Sequence, residues 1–302
     1  MSKLIVVLGP TASGKTSLAV NLAYRYNAEI ISADSRQIYE NMDIGTGKDL
    51  NEYQINQTSI PYHLIDILTP DKNYSVYDYQ NDFVIKYNEI LKKKKTSILC
   101  GGTGLYIESI LLDYKMNDTP PNIELRNKLE KKSLEELIAE IKEKFIDSYD
   151  VVFHTTKRRI IRTIEILLNE NKITKSKKNK HKIDYLVLGI KIKREDVLIK
   201  IKERLETRLN EGMIDEVKML IDSGITLERL KYFGLEYKFI GEYLFNNMTY
   251  DNMKERLNYA INRFAKRQMT FFRRMEKRGI KIQWVNPNKI DQIYNNVDKY
   301  IQ

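Results

Sequence analysis

The chain has 302 residues, with 51 Lys and Arg against 41 Asp and Glu, a net charge of +10, six prolines and one cysteine. Its length allows one large domain or two unequal ones, and a 42% hydrophobic content excludes wholesale disorder. Cys100 has no partner for a disulfide or a cysteine zinc site, the three histidines (His63, His154, His181) lack metal-ligand spacing, and no run approaches the roughly 18–20 apolar residues of a membrane helix. The expectation is a soluble, cytoplasmic protein, its positive charge a weak hint of a polyanionic partner.

Residues 3–8 read as a buried strand that runs straight into Gly9-Pro10, too short for a signal peptide. A helix is expected over 15–26, where Leu18, Ala19, Leu22 and Ala23 recur at helical spacing. A strand follows at 29–32, then a helix at 79–91 and a strand at 96–100. This rhythm predicts an α/β fold with a parallel sheet covered by helices on both faces. Beyond about residue 115 the pattern changes. Thr119-Pro120-Pro121 marks a linker, and 123–144 and 157–168 look helical and heavily charged. Residues 174–182 are almost wholly cationic, a solvated loop or a polyanion contact. Strand-like sequence returns at 185–190, and residues from 194 onward are helical, ending in a basic, aromatic helix at 250–277. Residues 288–302 carry little signal. The expected division is a core of 1–115 and 183–302, interrupted by a helical insert at 116–182.

The strongest motif is Gly9-Pro10-Thr11-Ala12-Ser13-Gly14-Lys15-Thr16, a match to G-x-x-x-x-G-K-[ST] between an expected strand and an expected helix. Its glycines let backbone N–H groups curl inward, the helix start adds positive potential, Lys15 adds a point charge, and Thr16 would hold Mg²⁺. A di- or triphosphate therefore binds here, attached to a group the motif does not specify. Asp34 ends the second strand, and strand C-termini face the ligand crevice of an open parallel sheet. It would accept a proton or face Mg²⁺, unless it merely caps a helix. A third strand ends in Cys100-Gly101-Gly102-Thr103-Gly104, where Thr103 offers a hydroxyl towards a phosphate oxygen unless the loop is a plain turn. Two basic stripes, Lys157-Arg158-Arg159-Ile160-Ile161-Arg162 and Arg263 to Arg274 with Phe264, Phe271 and Phe272, suit an RNA backbone with base stacking, or are solvated helix faces.

These residues resemble the tRNA dimethylallyltransferases (tRNA isopentenylpyrophosphate transferases). The phosphate loop is followed by Asp34-Ser35-Arg36-Gln37-Ile38-Tyr39, Met42-Asp43-Ile44-Gly45-Thr46-Gly47-Lys48 and Tyr62-His63-Leu64-Ile65-Asp66. Then come Tyr74-Ser75-Val76, Gly101-Gly102-Thr103-Gly104-Leu105-Tyr106, Arg159-Ile160-Ile161-Arg162 with Glu165, Glu211-Gly212-Met213-Ile214-Asp215-Glu216-Val217 and Ala265-Lys266-Arg267-Gln268. The resemblance implies a P-loop NTPase-like fold with an inserted helical domain gripping the tRNA anticodon arm. It implies transfer of a dimethylallyl group from dimethylallyl diphosphate to N6 of the adenosine beside the anticodon, with Mg²⁺, by a monomer. Carried over, Asp34 would be the general base and Thr103 would bond the oxygen bridging to the leaving diphosphate. Residues Gly9 to Thr16 would cradle that diphosphate, with Lys15 catalytic. Ser35 and Gln37 would contact the flipped adenine, while Arg36, Arg126, Arg158, Arg159, Arg162, Lys231, Lys266 and Arg267 would hold the RNA.

The chain departs from the family pattern at Glu236 and Asn262, where arginines are usual, at Arg36, where Met or Ala is common, and at His154-Thr155-Thr156. Arg36 is a candidate to supply the charge lost at Glu236. The rival readings are a nucleotide kinase or adenylate prenyltransferase on the same scaffold, and a catalytically weakened tRNA-binding homologue.

Overall fold

The computed structural model describes residues 3–116, 119–144, 156–169 and 183–302. The chain runs through β1 (Lys3–Leu8), α1 (Lys15–Arg25), β2 (Ala28–Ser32), a 3-10 turn (Leu50–Tyr53), the hairpin β3 (Gln54–Ile55) and β4 (Thr58–Ser59), and β5 (Tyr62–His63). Next are α2 (Val76–Lys92), β6 (Thr96–Gly101), α3 (Gly104–Leu111), α4 (Ile123–Leu129), α5 (Leu134–Lys144) and α6 (Lys157–Leu167). The chain continues with β7 (Asp184–Ile190), α7 (Arg194–Asn210), α8 (Met213–Asp222), α9 (Leu227–Phe233), α10 (Leu235–Leu244), α11 (Tyr250–Lys277), β8 (Ile282–Val285) and α12 (Ile290–Ile301).

Six strands form a parallel sheet in the order β5-β2-β6-β1-β7-β8. Successive strand residues point to opposite faces, so β1 feeds two cores at once. Ile5 and Val7 pack with Leu18 and Leu22 of α1 and Ile293 and Val297 of α12. Leu4, Val6 and Leu8 pack with Phe83 of α2, Ile107 of α3, and Phe272 and Met275 of α11. A third core gathers α7 to α11 around Leu230, Phe233, Tyr237 and Ile240, and takes in Ile38, Tyr39 and Met42 from the loop after β2.

Contacts divide the chain into one unit of residues 1–114 and 183–302 and another of 115–182. In the second unit α4, α5 and α6 close their own small core on Leu129, Leu137, Ile141, Ile160, Ile161 and Ile164. The single helix expected over 123–144 is two. Ser133 and Glu136 make a capping box, Ser133 N–H to Glu136 Oε2 at 2.6 Å and Glu136 N–H to Ser133 Oγ at 3.1 Å, which starts a new helix after Leu129. The weakly patterned C-terminus is also ordered, as α12. The cationic tract 174–182 and His154 lie outside the described residues. Among the described residues no helix is long and apolar enough to cross a membrane.

Candidate active site

Parallel pairing sets the C-terminal ends of β1, β2 and β6 side by side, with Leu8 opposite Gly101 and Ser32 opposite Cys100. The loops leaving these three ends build one crevice. After β1 the chain curls through Ala12 (φ 59°) and Gly14 (φ 81°) into α1. No side chain caps α1 and no acidic residue stands in its first turn, so the positive end of the helix is left open to an anion. Ser13 is buried and its Oγ has no hydrogen-bond partner. That orphaned donor sits where a phosphate oxygen would satisfy it. The Thr16 hydroxyl and the Lys15 ammonium likewise make no hydrogen bond among the described residues. Burial pulls the Lys15 ammonium below the ordinary lysine value, and nearby Asp34 offsets part of that.

Asp34 leaves β2 without capping any helix. Its Oδ1 accepts the Arg36 N–H at 3.0 Å, which bends the chain and leaves Oδ2 free of that bond. Thr103 is locked beside it: its N–H donates to Ala33 O at 3.1 Å, and its Oγ1 accepts the Ser35 N–H at 3.0 Å. The Thr103 hydroxyl proton points at Ser35 Oγ, 3.3 Å away, a long bond that is easily exchanged. Gly101 makes this approach possible, since a Cβ there would lie 2.2 Å from Ala33 O.

Two side chains from distant helices complete the crevice, and the sequence assigns neither of them a role there. Gln268 of α11 accepts the Thr11 N–H at 2.8 Å and donates to Gly102 O at 3.0 Å, so one buried amide fixes the spacing between the phosphate loop and the Thr103 loop. Arg204 of α7 donates to Thr11 Oγ1. Burial and neighbouring Arg208 push its guanidinium down to about 10, so it remains cationic at neutral pH. Gln268 is visible in the sequence only as the end of the Ala265-Lys266-Arg267-Gln268 motif. The one signal for Arg204 is its place one residue before Leu205 in the buried series Ile201, Leu205 and Leu209. Glu236, at the start of α10, shares this charged surround. Burial pushes its carboxyl above the ordinary glutamate range, against the pull of Arg204 and Arg208.

Several motif residues shape the crevice instead of facing it. Lys48 is fully buried and binds Asp43 at 2.6 Å, Asp66, and Tyr39 O at 2.8 Å. Glu216 of α8 accepts the N–H groups of Asp43, Ile44 and Gly45 at 2.7–3.0 Å and the Tyr237 hydroxyl at 2.7 Å. Gln37 is engaged by Gly47 O at 2.9 Å and the Ser32 hydroxyl at 3.1 Å. Arg36 donates to Tyr232 O and lies over the Tyr232 ring at 5.5 Å, so its guanidinium is turned to that aromatic corner. His63 pairs with buried Glu29 at 2.8 Å. Burial opposes the Glu29 charge, but His63, Lys93 and Lys95 hold its carboxyl at about 2.

The remaining cations fall into two groups. In the helical unit Glu165, fully buried, takes both Arg126 (2.8 and 2.7 Å) and Arg162 (2.7 Å), and Arg162 also donates to Thr119 O at 2.8 Å. Arg158 and Arg159 are exposed on α6. In the other unit Lys231, Lys266 and Arg267 are exposed.

An anion cradle on a parallel sheet, faced by a carboxylate and a hydroxyl from the adjoining strand ends, defines a P-loop-like α/β enzyme scaffold. The family model described as IPP transferase matches residues 37–275. A tRNA dimethylallyltransferase 1 of Parabacteroides distasonis is 48% identical over 288 residues, covering 94% of this chain and 92% of that protein. A tRNA dimethylallyltransferase 2 of Phocaeicola vulgatus is 46% identical over 299 residues, covering 97% and 96%. The solved full-length tRNA isopentenylpyrophosphate transferase of Bacillus halodurans superposes with a TM-score of 0.71 at 31% identity, covering 99% of this chain and 97% of that one. The chain belongs to the IPP transferase family and is a prenyltransferase.

Proposed function

We infer that the chain transfers a dimethylallyl group from dimethylallyl diphosphate to N6 of the adenosine adjacent to the anticodon in tRNA, releasing diphosphate. The observation that carries this reading is the Asp34–Ser35–Thr103 arrangement facing the phosphate loop, a base and a hydroxyl opposite an anion cradle. Adenine N6 is a poor nucleophile because its lone pair is delocalised into the ring. In the reaction N6 bonds to C1 of the allylic group, and the C1–oxygen bond breaks with its electron pair leaving on the diphosphate. The N6 proton passes to the Asp34 carboxylate. Thr103, already fixed by the Ser35 N–H, turns its proton from Ser35 Oγ to the bridging oxygen. Lys15, Arg204, Ser13 and the α1 N-terminus neutralise the charge that grows on the leaving group. A base within a stacked arm cannot enter such a crevice, so the adenosine is turned out to reach it.

Thr16 and Asp34 offer only hard oxygen donors, and the Thr16 hydroxyl is unengaged, which fits Mg²⁺. Thr16 would hold the ion, which when bound supplies positive charge to the diphosphate. Gripping of the RNA is assigned first to the exposed Arg158, Arg159, Lys231, Lys266 and Arg267, on one chain acting alone, whereas Arg36 would have to leave Tyr232, and Arg126 and Arg162 would have to leave Glu165, to join them.

The test is transfer of label from dimethylallyl diphosphate to unmodified tRNA, run beside AMP, with Asp34→Asn as control. Label should enter tRNA and fall about 10²–10⁴-fold in the variant. Label in AMP alone would move the reaction to nucleotide prenylation. No label in either acceptor, with tRNA still bound, would leave a binding protein.

A further inference from the structure

Arg36 ties the loop of Asp34 and Ser35 to the chain twice. Its N–H donates to Asp34 Oδ1 at 3.0 Å, and its guanidinium donates to Tyr232 O, a carbonyl in the last turn of α9. Helix geometry leaves such carbonyls without helical partners, and the helix dipole makes that end attractive to a cation. One residue back, the Ser35 N–H donates to Thr103 Oγ1 at 3.0 Å. Movement of residue 36 would therefore disturb the aim of both the carboxylate and the hydroxyl. The anchor is well fixed. Leu230 and Phe233 of α9 are fully buried, and Arg229 bonds Pro70 O at 2.8 Å and Asn73 Oδ1 at 2.6 Å while lying 4.6 Å from the Tyr232 ring centre. Gly234 ends α9 and starts α10 at φ 141° and ψ −168°, a conformation that suits glycine and penalises any residue with a Cβ. A Cβ there would stand 3.7 Å from Arg36 Nε and 3.8 Å from Glu236 Oε2, so the two charged groups flank one turn. The guanidinium thus sits where the end of α9 and the Glu236 carboxyl both supply negative potential.

We propose that Arg36 is a positioning residue for the transfer reaction, and not a cation that grips RNA. Its tether to the α9–α10 turn holds the Asp34 carboxylate and, through Ser35, the Thr103 hydroxyl in the geometry the reaction needs. To meet a phosphate instead, the guanidinium would have to give up both the Tyr232 carbonyl and the Tyr232 ring 5.5 Å away. The residue acts through Asp34 and Thr103 and touches no reacting atom itself. The proposal rests on transfer to tRNA being the reaction.

The test uses the full chain and unmodified tRNA, with kcat, melting temperature, and the affinities for tRNA and dimethylallyl diphosphate all measured. Arg36→Met should lower kcat about 10-fold, as expected of a slightly misaimed base. Both affinities, and the salt dependence of tRNA binding, should stay at the wild-type value. Arg36→Lys, which keeps one donor for Tyr232 O, should recover part of kcat. Gly234→Ala shifts the anchor without touching Arg36 and should also lower kcat. Added to Arg36→Met it should bring little further loss, because both changes break one tether. Wild-type kcat in Arg36→Met, or fully additive losses in the double variant, would overturn the proposal. Weaker tRNA binding with a shallower salt slope would overturn it in favour of an RNA-gripping arginine. A lower melting temperature with loss of donor binding would overturn it in favour of a structural link alone. Failure of the wild-type chain to label tRNA would overturn the reading of the reaction, and the proposal with it.

Discussion

Charged groups are treated in opposite ways in the two units. In the helical unit one buried carboxylate, Glu165, is bonded to Arg126, Arg162 and the Asn122 N–H, so the charges of this network have found their partners. In the α/β unit the scaffold is equally well tied, with Glu216 and Lys48 consuming backbone and side-chain groups behind the crevice. In its crevice, however, Lys15, Ser13 and Thr16 are left without side-chain hydrogen bonds among the described residues, and the Glu236 carboxyl has only a bond from its own backbone. Saturated charge fixes a shape, whereas unsaturated charge costs folding energy and is stored for a ligand. The comparison separates residues that hold helices together from residues that await substrate, a distinction that motif membership alone does not make.

The largest effect should come from the unsaturated end of that contrast. Lys15→Met removes a cation whose charged form burial already disfavours in the folded chain. Transfer should fall by at least about 10²-fold, with weaker binding of dimethylallyl diphosphate, as expected for loss of a preorganised charge at a leaving group. The ligand-free protein should melt at the same temperature or higher, because the lowered lysine pKa means its charge opposes folding. A clear drop in melting temperature would make Lys15 a structural cation and erase the contrast.

The reverse outcome is expected of Glu165→Gln. Removing one member of a buried charge network typically costs about 3–5 kcal/mol. Arg126 and Arg162 reach solvent, with side chains 39% and 33% exposed, so about 2 kcal/mol is the better figure here. Amide hydrogen exchange should speed up in α4 and α6 while the strands of the sheet stay protected. Unchanged exchange in both helices would mean the two arginines are not held by Glu165, and would free them for RNA.

The sequence exposed the crevice floor and hid its walls. Glycines after apolar strands located the phosphate loop, and Asp34 and Thr103 followed from the rule that strand ends face the ligand, because these features are local. Arg204 and Gln268 come from helices 193 and 257 residues away from Thr11, and only the completed packing brings them there. Motif membership also says little about role: Lys48 and Gln37 sit among the quoted residues, and both bond to the chain itself. The helix α12 was invisible because asparagine and aspartate between Ile290, Ile293, Val297 and Ile301 lower intrinsic helix propensity, and the helix is held by docking onto the sheet. Arg36 lay in plain view as a candidate for the charge missing at Glu236, but its guanidinium is committed to Tyr232.

The smallest and most discriminating effect concerns Glu236 itself. Its carboxyl titrates above the ordinary glutamate range because burial disfavours the anion, with Arg204 and Arg208 opposing. When ionised it repels the diphosphate and weakens the field of Arg204; when protonated it does neither. Donor affinity of the wild-type chain should therefore fall as pH rises through this titration. The Glu236→Gln chain should bind dimethylallyl diphosphate several-fold more tightly on the alkaline side and equally well on the acid side, a difference of about 0.5–1 kcal/mol. Stability should move in the same direction. A carboxyl with a raised folded-state pKa contributes stability below its unfolded value and loses it as pH rises, so the variant should overtake the wild type in alkaline solution. Parallel pH profiles for the two chains would mean that Arg204 and Arg208 already neutralise Glu236, and the crevice would then be as saturated as the helical unit.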